Sequence, residues 1–116
     1  MSSKTSKAYL HDILSEIERL KKFTSKFKDE KQFAKNIQAV YACSRSIEII
    51  GEAAKNLPAE IRKKHEQIPW KKIIGMRDKL IHDYGGTDVG IVWKSATEDA
   101  QSIKEGIKKM MDEMPD

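Results

Sequence analysis

The chain has 116 residues, which is the size of one small domain and leaves no room for a separate cofactor domain. Hydrophobic residues make up 39% and charged residues 34%, a balance typical of a small helical protein in which each helix buries one apolar stripe. The formal charge of +4 comes from 22 basic and 18 acidic residues that are interspersed, so it permits RNA binding without by itself indicating it.

The cysteine count and the termini limit the possible settings. Cys43 is the only cysteine, so it cannot form an internal disulfide, and no Cys/His spacing is typical of a zinc site. The N-terminus lacks the apolar run of a signal peptide, and no stretch approaches the roughly 20 apolar residues of a membrane span. We therefore expect a soluble, cytoplasmic protein with no metal and no cofactor, in a single domain over residues 1–116.

Apolar periodicity predicts four longer helices and one short one. The first runs from about Lys7 to Lys26. Asp29 is a good N-cap for the second, because its carboxylate can accept from free backbone N–H groups. That helix continues to about Asn56, and small residues at its centre allow another helix to approach closely. Its predicted buried stripe is Phe33, Ile37, Val40, Tyr41, Ser44, Ile47, Gly51 and Ala54.

Two prolines introduce the next elements. Pro58 suits the first turn of a short helix through about His65, where its missing N–H has no partner to lose. Pro69 precedes a helix over residues 70–84, and the pair Gly85-Gly86 predicts its end, because glycine readily adopts the left-handed conformation of a helix C-terminus.

The last helix begins near Thr87 or Asp88, both good caps. Its apolar residues recur at helical spacing and are predicted to form core or dimer contacts: Val89, Val92, Trp93, Ala96, Ala100, Ile103, Ile107, Met110, Met111 and Met114. No strand-like alternation competes with this pattern. The sequence therefore predicts an all-α bundle with mostly short connections.

An arginine interrupts the apolar stripe of the helix over residues 70–84. Arg77 belongs by its spacing to a row that faces a core or a partner, made up of Ile73, Ile74, Arg77, Leu80, Ile81 and Tyr84. A charge in such a position needs a partner or a function. The plain alternative is that Arg77 pairs with Glu48 or Glu52 of the second helix and that His82 caps the helix end.

His82 is predicted in the last turn of the same helix. The carbonyls there carry partial negative charge and favour the imidazolium, so His82 is suited to both taking and giving a proton. Arg77 and His82 lie roughly 140° apart around a helix, whereas Arg77 and Tyr84 nearly eclipse each other. One straight helix cannot aim all three inward, but a cleft between two copies of the helix can collect them.

These residue types favour attack on a phosphodiester. That reaction needs a base, an acid and a cation for the charge that develops on phosphate oxygens. If the attacking group is the substrate's own 2′-hydroxyl, the substrate is RNA and the product ends in a cyclic phosphate. The basic run at residues 62–65 and the pair Lys71-Lys72, on either side of Trp70, are a modest hint of a phosphate-facing surface.

The motif Arg77-x4-His82-x-Tyr84 resembles the Arg-x4-His-x-Tyr motif of HepT-like toxins in the HEPN superfamily. The segments Arg45–Leu57, Ile68–Met76 and Tyr9–Leu14 are also similar to that family, as is the pair Val92-Trp93. The resemblance therefore covers nearly the whole chain.

The resemblance implies an all-α HEPN-type homodimer that acts as the toxin of a type VII-like toxin–antitoxin system. In such a dimer Arg77 binds phosphate, His82 transfers protons, and RNA is cleaved without a metal in a cleft at the dimer interface. The implied partner is an MntA-type nucleotidyltransferase antitoxin, which adds AMP to Tyr84. Asp78 is predicted to orient Arg77 or His82.

Two other functions remain open at this point. Proteins with this motif have also been interpreted as noncatalytic nucleotide-binding or substrate-binding subunits of the neighbouring minimal nucleotidyltransferase. A purely structural helical dimer is the third possibility. Loss of RNA cleavage on His82→Ala substitution would separate the first function from the other two.

Overall fold

The computed structural model of the chain describes residues 5–81 and 88–115, with the side chain of Ile81 left out. Within these ranges the chain forms helices and turns and no strand. The prediction of an all-α fold is therefore confirmed. The predicted end, near Tyr84, of the helix over residues 70–84 and the glycine pair that follows it lie outside the described residues.

Helix α1 spans Ser6–Thr24 and agrees with the first predicted helix to within two residues. Its start is fixed by Thr5, whose Oγ1 accepts a hydrogen bond from the backbone N–H of Ala8 at 3.1 Å. This satisfies one of the N–H groups that a helix leaves unpaired in its first turn. The apolar face is fully buried and consists of Leu10, Ile13, Ile17 and Leu20.

The prediction of the second helix is wrong in one respect, because this segment forms two helices instead of one. Helix α2 spans Glu30–Ala34, and Asp29 caps it as predicted, with Oδ1 accepting from the N–H of Gln32 at 3.0 Å. Helix α3 spans Ile37–Asn56 and starts anew at Asn36, whose backbone is extended and whose Oδ1 accepts from the N–H of Ala39 at 3.0 Å. Asn36 is a strong N-cap residue, and this cap interrupts the predicted helix.

The interruption also changes which side chains are buried. Phe33 is fully buried, with its ring centroid 5.0 Å from that of Trp93. Ile37 and Tyr41, predicted to share its stripe, are instead 65% and 64% exposed. The break after Ala34 resets the helical phase, so two large apolar residues of α3 face outward.

Helix α4 spans Ala59–Lys64, with Pro58 at its N-cap rather than inside its first turn. Helix α5 spans Trp70–Ile81. Trp70 joins the two helices, because its indole N–H donates to the carbonyls of Arg62 at 3.1 Å and His65 at 3.0 Å. Trp70 is only 8% exposed, so it holds α4 against α5 and does not offer its ring at the basic surface.

The last predicted helix begins where Asp88 caps it, with Oδ1 accepting from the N–H of Ile91 at 3.2 Å. It is not continuous. Helix α6 spans Val89–Lys94, a π-helical turn spans Ser95–Asp99, α7 spans Ala100–Ser102 and α8 spans Lys104–Glu113. Most of the predicted apolar row is nevertheless buried: Val92, Ala96, Ala100, Ile103, Ile107 and Met110.

Helix α3 lies at the centre of the bundle, packed along α1 on one side and α5 on the other, while α8 packs against α1. No helix in the described part of the chain has the length and apolar character needed to cross a membrane. The position of α3 matters for the site, because α5 carries Arg77 and rests directly on it.

Candidate functional site

The site is centred on the contact between Arg77 of α5 and Gly51 of α3. A Cβ atom added to Gly51 would lie 2.6 Å from the Cβ of Arg77 and 3.3 Å from its Cδ. Real Cβ atoms essentially never approach another carbon so closely, so α3 can meet the arginine stem here only because residue 51 has no side chain. The expectation that small residues in this helix permit close approach is confirmed.

The guanidinium group of Arg77 lies between two carboxylates. Its Nη1 donates a hydrogen bond to Oδ1 of Asp78 at 3.3 Å, and its Nε lies 3.8 Å from Oε1 of Glu52. Glu48 instead pairs with Arg45 at 3.2 Å. Of the two acidic residues that the sequence left open, Glu52 is therefore the one close to Arg77.

Neither contact occupies all the hydrogen-bond donors of the Arg77 guanidinium. Glu52 and Asp78 have side chains that are 46% and 52% exposed, and ion pairs between such exposed groups contribute little. The Nε of Arg77 is buried and has no hydrogen-bond partner among the described residues. An arginine has five N–H donors in a planar fork, so this one keeps donors that can bind phosphate oxygens.

The stem of the arginine is held more firmly than its head. Its side chain is 24% exposed, and its Cβ, Cγ and Cδ lie over Gly51. This packing limits the directions that the guanidinium can take, which is the condition for a preorganised cation at a reaction site. The position of Arg77 within the apolar stripe is thus explained by packing of its methylene groups.

Of the three other predicted site residues, the structure describes one. Asp78 adjoins Arg77 and contacts it directly. His82 and Tyr84 lie outside the described residues. Gly51 is the site residue whose role sequence reasoning did not recognise, although the small residues of α3 were the signal that pointed to it.

Within the described part of the chain, no three His, Cys, Asp or Glu side chains come together as a metal site would require. Cys43 is fully buried, and burial raises the pKa of its thiol to about 11. At neutral pH it is therefore a protonated and poor nucleophile. The described part of the candidate site therefore consists of a cation, Arg77, with a carboxylate on either side.

The fold and the site together define an all-α bundle that holds an arginine between two closely packed helices, α3 and α5. Comparison with known proteins identifies the kind of bundle: residues 13–110 match the family described as ribonuclease HepT-like. The chain belongs to this family.

Three of its relatives are similar over nearly their whole length. A "Putative RNase" of Caldanaerobacter subterraneus subsp. tengcongensis is 44% identical over 93% of this chain and 96% of its own length. The "Probable ribonuclease HepT" of Thermococcus cleftensis is 42% identical over 90% and 94%. A "Putative RNase" of Methanocaldococcus jannaschii is 41% identical over 98% and 97%. No solved structure gives a significant match.

Proposed function

We propose that this protein is a metal-independent RNA endonuclease and the toxin component of a type VII-like HEPN/MNT toxin–antitoxin system, acting in the cytoplasm. Arg77 and His82 cleave RNA in a cleft between two copies of the chain, and addition of AMP to Tyr84 by an MntA-type nucleotidyltransferase neutralises it. The observation that carries the proposal is Arg77 itself, whose stem is fixed over Gly51 and whose guanidinium is held only by two exposed carboxylates. Membership of a ribonuclease family supports it.

The reaction follows from the groups that the motif supplies. One His82 takes the proton of the 2′-hydroxyl, whose oxygen attacks the adjacent phosphorus and forms the new O2′–P bond. The P–O5′ bond breaks, and the His82 of the second copy gives its proton to the leaving 5′-oxygen. Arg77 binds the non-bridging oxygens and stabilises the charge that develops on them. The products are a 2′,3′-cyclic phosphate and a 5′-hydroxyl.

The outer face of α3 supports the homodimer. Ile37 and Tyr41, the two large apolar residues that are exposed in the described part of the chain, lie one turn apart on it, and Arg45 follows one turn later. The row reaches Arg77, because Arg45 lies 4.0 Å from Oε1 of Glu52 and that same oxygen lies 3.8 Å from Nε of Arg77. A two-fold contact along this face would bring the two Arg77 side chains to one cleft.

Modification of Tyr84 has a simple physical effect in this scheme. An AMP group adds bulk and negative charge in the cleft, so it repels the phosphates of RNA and blocks access to the histidine. Incubation with an MntA-type nucleotidyltransferase and ATP should increase the protein mass by one AMP and abolish cleavage. Tyr84→Phe should prevent the addition and leave cleavage intact. Modification of Tyr84→Phe at the same rate as the parent would place the acceptor elsewhere.

The central test is RNA cleavage in EDTA by purified protein whose mass shows no AMP, with Arg77→Ala and His82→Ala measured in parallel. We expect cleavage by the parent and none by either variant, with circular dichroism and sedimentation showing that both variants fold and associate as the parent does. A folded, unmodified dimer that cleaves no RNA would favour the noncatalytic subunit of a nucleotidyltransferase. Retention of both toxicity and partner binding in Arg77→Ala would leave only a structural dimer.

A further inference from the structure

A second basic feature lies on the other side of α5. A groove of about 630 Å³ runs between α5 and the segment formed by α6 and the π-helical turn. Four lysines line it, namely Lys71, Lys72, Lys79 and Lys94. Because these lysines are far apart in the sequence, only the adjacent pair Lys71-Lys72 can be recognised there as a basic feature.

The charge of the groove is almost unopposed. Among the described residues of its lining, Asp99 is the single acidic one, and it pairs with Lys72 at 3.1 Å. The other three lysines form no ion pair with any carboxylate in the described ranges. In the described lining, four lysines against one aspartate give an excess of three positive charges, compared with +4 for the whole chain. Such a concentration in a concave surface attracts anions.

The floor of the groove contains a glycine that packing does not explain. A Cβ at Gly51 would strike Arg77, one at Gly106 would lie 3.2 Å from Ile68, and one at Gly90 would lie 3.3 Å from Asp88. A Cβ at Gly75 would meet no described atom within 4 Å. Glycine inside a helix is less favourable than alanine by about 1 kcal/mol. The space above Gly75 is therefore open and can admit a ligand.

The rest of the lining limits what this ligand can be. Pro69, Met76 and Ile91 provide apolar surface beside the lysines, which suits a ligand with both phosphates and exposed apolar faces. Single-stranded RNA has both, since its unpaired bases can pack while its backbone meets cations. A second copy of the chain fits poorly, because a symmetric contact would place lysines opposite lysines.

We propose that this groove, the lysine groove, binds single-stranded RNA next to the phosphodiester that is cut, and so selects unpaired substrates. The proposal rests on the ribonuclease function proposed above. Gly75 precedes Arg77 by two residues, or about 200° around the helix, and a helix with its side chains is about 10–12 Å across. The groove therefore holds nucleotides that flank the cleavage point, while Arg77 binds the reacting phosphate.

Charge removal tests the electrostatic part. In EDTA, fluorescence anisotropy of a labelled oligouridine is measured against salt with the His82→Ala protein, which keeps RNA intact, and with the same protein carrying Lys71→Gln, Lys79→Gln and Lys94→Gln. Lys72 stays, so its pair with Asp99 is preserved. Because single strands show a slope of about −0.7 per phosphate contact, the slope should fall by about 2 and affinity in 0.1 M salt on the order of 100-fold.

A matched control removes the same charge elsewhere. Lys31→Gln, Lys108→Gln and Lys109→Gln change three exposed lysines on α2 and α8, outside the groove. This triple variant, also made in the His82→Ala protein, should bind oligouridine with nearly the same affinity as the His82→Ala protein itself. Equal losses of affinity in both triple variants would overturn the proposal, because they would show that net charge alone attracts RNA.

Filling the groove tests its shape without removing any charge. Gly75→Gln adds a neutral side chain where no described atom lies within 4 Å, so thermal unfolding should occur at the same temperature or higher. Oligouridine affinity should fall by roughly tenfold or more, because the occupant loses its space. Unchanged affinity in a folded Gly75→Gln protein would overturn the proposal. So would binding of oligoglutamate as tight as that of oligouridine and equally sensitive to the substitution.

Cleavage assays separate failure of this proposal from failure of the ribonuclease function. The groove variants, made with His82 intact, should cleave a dinucleotide like the parent, since it is too short to reach the groove, but should cleave long single strands more slowly. Equal cleavage of both substrates by parent and variants would overturn the groove and leave the ribonuclease standing. If the parent cuts neither substrate, the ribonuclease proposal fails, and the flanking role with it.

Discussion

At the scale of single residues, the site depends on a pairing of the smallest side chain with one of the longest. Gly51 lets α3 come close enough for the methylene groups of Arg77 to pack on its backbone, and this packing fixes the direction of a charge that its carboxylate neighbours hold only weakly. In the proposed site, the residues that pack around the cation thus matter as much as those that pair with it.

Gly51→Ala should therefore damage the site through packing alone. The added Cβ would lie 2.6 Å from that of Arg77, so α5 must shift, and overpacking of about 1–3 kcal/mol should exceed the gain in helix propensity of about 1 kcal/mol. RNA cleavage should fall on the order of 10–100-fold, as expected for a displaced catalytic group. Urea unfolding and initial cleavage rates check this.

The control places the same methyl group where there is room. Gly75→Ala should raise the free energy of unfolding by about 0.5–1 kcal/mol, because no described atom lies within 4 Å of the new Cβ and alanine favours the helix. If Gly51→Ala proved as stable as Gly75→Ala and fully active, the close contact between α3 and Arg77 would not be essential.

Asp78 should act as a positioning residue for Arg77. Its carboxylate accepts from Nη1 at 3.3 Å and is 52% exposed, so we expect Asp78→Ala to lower kcat by only about two- to fivefold, the equivalent of about 0.5–1 kcal/mol. Asp78→Asn keeps an oxygen acceptor and should restore most of kcat. Steady-state cleavage kinetics test this, and an Asn variant as slow as the Ala variant would show that the negative charge is what matters.

At the scale of elements, local caps decide where helices stop and which faces they bury. Asn36 starts α3 afresh after α2, and that restart turns Ile37 and Tyr41 outward while Phe33 stays in the core. The π-helical turn Ser95–Asp99 similarly interrupts the last helical segment and brings Asp99 to Lys72. Both irregularities shape surfaces to which we assign functions.

Asn36→Ala should test the first of them. The substitution removes the side-chain acceptor of the N–H of Ala39, and loss of such a cap typically lowers the free energy of unfolding by about 1 kcal/mol. Asn36→Asp retains an acceptor at the same place and should be close to the parent. Urea titrations followed by circular dichroism will show the difference, and an Ala variant as stable as the parent would mean that packing of Phe33 alone sets the break.

At the scale of the whole molecule, an apolar surface and a basic surface lie near the pair of helices α3 and α5. The outer face of α3 is apolar at one end and carries Glu52, one partner of Arg77, at the other, and the lysine groove lies across α5 from it. In our proposal the first joins two copies and the second holds RNA, so the catalytic arginine lies between them.

Association of two copies should depend on the apolar end of that face. Ile37→Glu combined with Tyr41→Glu changes side chains that are 65% and 64% exposed, so each chain should still fold. The proposed dimer should separate into monomers in sedimentation velocity, and cleavage should be lost with it. Ala59→Glu combined with Gln67→Glu adds equal charge at exposed positions and should change neither. A dimer that survives the first pair of changes would place the interface elsewhere.

The sequence by itself determined the helical class, most of the buried stripes and the exceptional position of Arg77, because helical periodicity and capping are local properties. It also predicted the cap Asp29, which is confirmed, and named Asp88 with Thr87 as the two candidate caps of the last helix, of which Asp88 is the one observed. It did not predict that the helix breaks at Asn36, because the apolar residues before and after the break recur at a spacing that one continuous helix would also show.

Only the tertiary structure decided which contacts the site uses. The approach of α3 to α5 selected Glu52 over Glu48 as the carboxylate near Arg77 and gave Gly51 its role. The tertiary structure also brought lysines of α5 and α6 to one groove. These are relations between residues far apart in the chain, and they depend on how closely two helices can pack, which the pattern along a single helix does not specify.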